Sequence, residues 1–127
     1  MKKIILTVYL LCFVGFPAYC ENLSYSDATL IWQKHKDTEA YQNYLSEFLQ
    51  FNNHYRLDEK LGCYNINKEV INMFLVVTHQ DPNKFSVIEY VLTEKENQKS
   101  LCFKKTYTNL KVKKPPYLPF VIQMRMG

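Results

Sequence analysis

The residue types able to do acid–base, nucleophilic or metal chemistry are present, but their spacing works against it. His35, His54 and His79 lie far apart, with no H-x-x-x-H or H-E-x-x-H spacing to put two imidazoles on one helical face. Asp58 and Glu59 are adjacent, and neighbouring side chains point apart, so they make no catalytic carboxylate pair. Ser24, Ser26, Ser46, Ser86 and Ser100 lack the glycines of a nucleophile elbow. Glycines only at 15, 62 and 127 leave no loop able to cradle a phosphate. The expectation is a protein with no catalysis, no metal and no cofactor.

Cysteines offer a different chemistry. Four are encoded, Cys12, Cys20, Cys63 and Cys102, and which of them remain depends on the N-terminus. Met1-Lys2-Lys3 is a positive start, and Ile4 to Phe16 is an apolar run broken only by Thr7 and Gly15. Pro17 then precedes Ala18-Tyr19-Cys20, with small residues where a signal peptidase reads. Residues 1–20 therefore read as a secretory signal peptide cleaved after Cys20, because a spanning helix needs about 20 apolar residues and this run is shorter. A lipoprotein acylated at Cys20 is the minor alternative, with Tyr19 too large for the usual lipoprotein signal. The compact, Lys-led form looks bacterial, so the expected compartment is the periplasm or the exterior. Cys63 and Cys102 are left, and in an oxidising compartment they should pair. No C-x-x-C spacing suggests a redox or metal thiol, so the expected bond is structural.

The third feature is basic. Lys104, Lys105, Lys111, Lys113 and Lys114 fall within 11 residues, with Tyr107 inside the cluster and Tyr117 just beyond it. As a site it suits an acidic partner, a lipid headgroup or a peptidoglycan-linked anion. As plain structure it is a solvated helix end, where the macrodipole favours lysine. Across 127 residues, 16 Lys and Arg stand against 12 Asp and Glu; without Lys2 and Lys3 the balance is 14 against 12. A charge so near neutral exerts no general pull on nucleic acid. With 47% apolar residues, the remaining chain suffices for one buried core and is too short for several domains.

Periodicity supplies the elements that must position these groups. Ser26 or Asp27 is placed to cap a first helix carrying Leu30, Ile31 and Trp32. Asp37 is placed to cap a second, in which Tyr41, Tyr44, Leu45, Phe48 and Leu49 share one face, a stripe that reads as core before interface. Arg56 to Gly62 reads as a turn or a short helix ended by Gly62. Glu69–Thr78 is a β-rich run, His79–Lys84 is turn chemistry, and Phe85–Leu92 is again strand-like. Thr93 and Glu96 make a capping-box pattern for a helix carrying Leu101, Cys102, Phe103 and Tyr107. Lys111–Lys114 with Pro115-Pro116 reads as an extended linker. Tyr117–Met126 closes the chain as a strand, regular only after Pro119. There Phe120, Ile122, Met124 and Met126 fall on one face and Val121, Gln123 and Arg125 on the other.

The expected fold class is α+β: a helical segment over 21–60, then a β-β-α-β unit over 61–127, the two forming one compact domain. The unit should hold a three-stranded antiparallel sheet and one covering helix, which the Cys63–Cys102 bond pins to the sheet.

From Leu61 to Met126 the chain resembles the C-terminal domain of TonB-type energy transducers. It resembles more closely the related periplasmic module of AgmX/PglI-type gliding-motility proteins. The residues that carry this are Cys63-Tyr64 before the first strand, the hairpin Val70–Leu92, and Cys102 in the following helix. Pro115-Pro116 leading into Val121-Ile122-Gln123-Met124 completes the pattern. The helical segment Asn22–Lys60 lies outside it. The resemblance implies a last strand whose edge accepts a partner peptide, which makes Val121, Gln123 and Arg125 candidate partner-binding positions. Lys104, Lys105, Lys111, Lys113 and Lys114 form the second candidate set. The expected function is that of a small exported, non-catalytic interaction protein binding a protein or peptide in the cell envelope. The alternative is a periplasmic inhibitor or immunity protein that blocks an enzyme with a rigid loop at His79–Lys84.

Overall fold

A computed structural model describes residues 22–79 and 84–127. The expected signal peptide and most of the His79–Lys84 turn lie outside the described residues. Four helices are described: α1 (Tyr25–His35), α2 (Glu39–Asn52), α3 (Leu57–Tyr64) and α4 (Gln98–Tyr107). The strands are β1 (Ile71–Val77), β2 (Phe85–Val87), β3 (Tyr90–Thr93), β4 (Lys111–Lys113) and β5 (Phe120–Met126). The class is α+β, as the periodicity predicts. No helix among the described residues is long and apolar enough to cross a membrane.

The helix starts shift from their expected caps, each for a local reason. Ser24, not Ser26 or Asp27, caps α1. Its hydroxyl accepts from Asp27 N–H while the Asp27 carboxylate accepts from Ser24 N–H, so Asp27 is the second half of a capping box. Thr38, not Asp37, caps α2 by accepting from Tyr41 N–H. α3 continues through Gly62 to Tyr64 instead of stopping at the glycine. That continuation keeps Cys63 on the buried side, facing Cys102. α4 is capped by Asn97 with Ser100, not by Thr93 with Glu96. Thr93 is held in β3 opposite Met73, and Glu96 instead meets Lys104 at 2.6 Å.

β1 is the centre of an antiparallel sheet in the order β3–β1–β5, with Met73 opposite Thr93 on one side and Met124 on the other. The expected strand Phe85–Leu92 is broken in two. β3 joins this sheet, whereas β2 pairs with β4 in a separate ribbon, so Lys111–Lys113 is strand and not linker. The break lies at Ile88, whose N–H donates to Leu110 carbonyl at 2.9 Å and whose carbonyl accepts from Asn109 N–H at 2.8 Å. β5 begins at Phe120, just after the cis Leu118–Pro119 bond.

α4 covers one face of the sheet as expected, and the N-terminal helices add to it so that both faces are covered. Met73, Leu75, Phe120, Ile122 and Met124 pack with Tyr41, Tyr44 and Phe48 of α2, Cys63 of α3, and Phe103 and Tyr107 of α4. On the other face Phe74, Val76 and Val121 pack with Leu23 and with Ala28 of α1. The cause is visible in β1, where Met73 to Val77 are all buried: a strand apolar on both sides must be covered on both. Cys63 and Cys102 are bonded, with Cα atoms 5.5 Å apart. The bond ties α3 to α4, helix to helix and not helix to sheet, because Cys63 lies inside α3. Two buried lysines hold their ammonium groups against amide oxygens rather than carboxylates. Lys99 donates to the carbonyls of Asn67 and Glu69, and Lys60 to the carbonyl and side-chain oxygen of Asn52. Burial lowers the Lys60 pKa.

Candidate interaction surface

α2 carries aromatic residues at 41, 44, 48 and 51, the spacing of one helical face. Tyr41, Tyr44 and Phe48 enter the core, where Tyr41 and Tyr44 both approach the Phe120 ring. Phe51, one turn further on, stays 48% exposed. Beside it stands the β2–β4 ribbon, whose Phe85 is 55% exposed. Between α2 and the ribbon lies an open cleft of about 320 Å³. Tyr44, Phe48, Phe51, Phe85 and Val112 give it an apolar lining. Glu47, Lys111 and Lys113 form its charged rim, with Lys113 Nζ 2.9 Å from the Glu47 carboxylate.

The backbone of β4 also faces this cleft. In an antiparallel pair, residues alternate between turning both backbone groups toward the partner strand and turning both away. Leu110 bonds to Ile88 N–H, and register then makes Val112 with Ser86 the next inward pair. The N–H and C=O groups of Lys111 and Lys113 therefore point outward. Tyr44 confirms the direction, since its hydroxyl reaches across to the Lys113 carbonyl at 2.5 Å. Burial, and secondarily the Glu47 charge, push the Tyr44 pKa well up, so the phenol stays a donor at neutral pH.

The lysine cluster is divided by the fold. Lys111 and Lys113 meet at the cleft; Lys104 reaches back toward the start of α4 to pair with Glu96; Lys105 is exposed and Lys114 half-buried. The β5 candidates separate as well. By the same alternation, Glu94 N–H to Asn72 carbonyl sets the even residues of β1 toward β3, so Val121, Gln123 and Arg125 direct their backbone groups to the outer edge of β5. Val121 is only 2% exposed, however, buried in the α1 layer. Gln123 N–H is met by the Tyr41 hydroxyl at 3.5 Å. Only Arg125 is fully open to solvent.

The histidines are dispersed. His35 stacks on Tyr117 with ring centroids 4.1 Å apart, His54 is exposed, and His79 pairs with Glu89 beside the Thr78 hydroxyl on an exposed strand end. No group of three or more His, Cys, Asp or Glu among the described residues could hold a metal. Glu47, Phe51 and Phe85 had no place in the sequence-derived site. For Phe51 the signal was available, as an aromatic that continues the α2 stripe by one further turn. Phe85 and Glu47 join it only through long-range packing. No family model, curated protein or solved structure matches the chain.

Proposed function

We propose that the protein is a small exported, non-catalytic interaction protein that docks a protein or peptide partner at the cleft between α2 and β4. The observation that carries this reading is the pair Phe51 and Phe85, two large rings left about half in water on either side of an apolar cleft. Exposed aromatic rings flanking a concave, Lys-rimmed patch are the composition of an interface centre and rim. The signal-like N-terminus and the Cys63–Cys102 bond support an oxidising compartment, the periplasm for a bacterial protein. The resemblance to TonB-type modules supports a binding role too, although it points to the β5 edge. There Tyr41 and the burial of Val121 leave only the Gln123–Arg125 end accessible.

Site-directed photo-cross-linking in envelope preparations tests the reading. A photoreactive residue at Phe85 should capture a discrete partner that the same residue at Leu30, on α1, does not. Purified partner should then lose most of its affinity for Phe51→Ala and Phe85→Ala. Equal capture from both positions, or undiminished affinity of both variants, overturns it.

A further inference from the structure

We infer that the cleft takes an extended peptide segment bearing alternate apolar and acidic side chains, which adds as a strand to the outer edge of β4. This inference rests on the docking reading above and specifies its ligand. Three observations converge on it. The first is the backbone. Lys111 N–H, Lys111 C=O and Lys113 N–H point outward, and none has a hydrogen-bond partner among the described residues. Lys113 C=O is already taken by Tyr44, so the ligand meets one satisfied and three open groups. An unpaired edge of this kind is a template for a further strand.

The second is the lining. A strand laid along β4 places successive side chains on opposite sides. One set would enter the apolar space between Tyr44, Phe48, Phe51 and Val112; the other would lie along the lysine rim. The third is charge. Lys113 is balanced by Glu47, but Lys111 is exposed with no carboxylate partner among the described residues, and Lys84 and Lys114 flank the ribbon. Acidic side chains suit that surplus of positive charge. The β5 edge offers no such combination, because Tyr41 already meets its central N–H.

The test uses the purified, disulfide-bonded protein and a fluorescent heptapeptide alternating Val or Phe with Glu. Anisotropy should show saturable binding. Methylating the alternate amides that would face β4 should weaken it about tenfold, as should replacing Glu by Lys. Lys111→Pro removes the outward N–H, and an edge position tolerates proline. It should bind about tenfold more weakly than Lys111→Ala, which removes the charge alone. The methylated peptide leaves the protein unaltered, so it decides the matter even if Lys111→Pro folds poorly. In amide spectra, Lys111 and Lys113 should shift on binding. Binding insensitive to methylation, shifts confined to Gln123 and Arg125, or attachment to anionic phosphatidylglycerol vesicles without peptide binding would each overturn the inference. If no peptide binds at millimolar concentration while Phe85 still captures a discrete partner, strand addition fails and the docking reading stands. If Phe85 captures nothing either, both fail.

Discussion

The two faces of the sheet are stabilised in different ways. The face bearing Met73, Leu75, Ile122 and Met124 lies under three helices, two of them joined through Cys63 and Cys102. The face bearing Phe74, Val76 and Val121 lies under α1, with 11 residues. A helix that short is marginal on its own in water, so α1 depends on docking for its structure. Its attachment is specific but slender: the Ser24–Asp27 capping box, the Leu23 N–H to the Tyr90 hydroxyl at 2.9 Å, and the Tyr25 and Trp32 rings against Phe74. The cleft between α2 and β4 belongs to the cross-linked side. The exposed Phe51 and Phe85 rings thus stand on the better-constrained half, which keeps a preformed site from collapsing into its own core.

Removing the cross-link is the strongest way to erase this contrast. Cys63→Ala with Cys102→Ala frees a bond spanning 39 positions and should cost about 4 kcal/mol by the chain-entropy model, read by urea unfolding. A loss below about 1 kcal/mol would mean that packing alone constrains the three-helix face. On the other face, Phe74→Ala should cost about 3 kcal/mol, because the ring is 2% exposed and bears the Tyr25 and Trp32 contacts of α1. Trp32 fluorescence should shift to the red at the same time. An unchanged spectrum would show that α1 is held by something other than this ring.

Alkali should act mainly on the cross-linked face. Burial raises the pKa of Tyr44 and Tyr107 above the unfolded value of 10.0, and burial with the nearby Tyr41 pushes Tyr117 up to about 12. A raised folded pKa means that the neutral phenol's contribution is complete below pH 10 and is lost as pH rises above it, when the unfolded chain ionises first. Near pH 11, each of the two buried tyrosines should have forfeited about 1 kcal/mol. Tyr107→Phe should therefore flatten the decline of stability with pH, and an unchanged slope would place the alkaline sensitivity elsewhere. Smallest of all, Ser24→Ala should cost about 1 kcal/mol and speed amide exchange in α1 while sparing α2 to α4. Faster exchange throughout would mean that the two faces unfold together.

Much of the architecture was legible in local pattern. Helix existence, the α2 core stripe, the course of β1 and the start of β5 after Pro119 follow from period and turn chemistry over a few residues. The same logic failed wherever two local signals competed. Thr93 can cap a helix or pair in a strand, and its place opposite Met73 decided for the strand. Lys111–Lys113 has a linker's composition but finds β2 as a partner. The unbroken apolar run Met73 to Val77 did hold the information that both faces are covered, since a half-exposed strand would alternate.

The sequence by itself determined the Cys63–Cys102 pairing and the division of β5 side chains between two faces: few cysteines lie beyond the signal-like N-terminus, and strand geometry repeats every two residues. Only the tertiary structure decided that Cys63 ties helix to helix, that Lys111 and Lys113 stand at a cleft while Lys104 turns to Glu96, and that Tyr41 closes the middle of the β5 edge. Those outcomes depend on which surfaces meet across separations of tens of residues. Side-chain order along the chain fixes local faces, but not the partners that cover them.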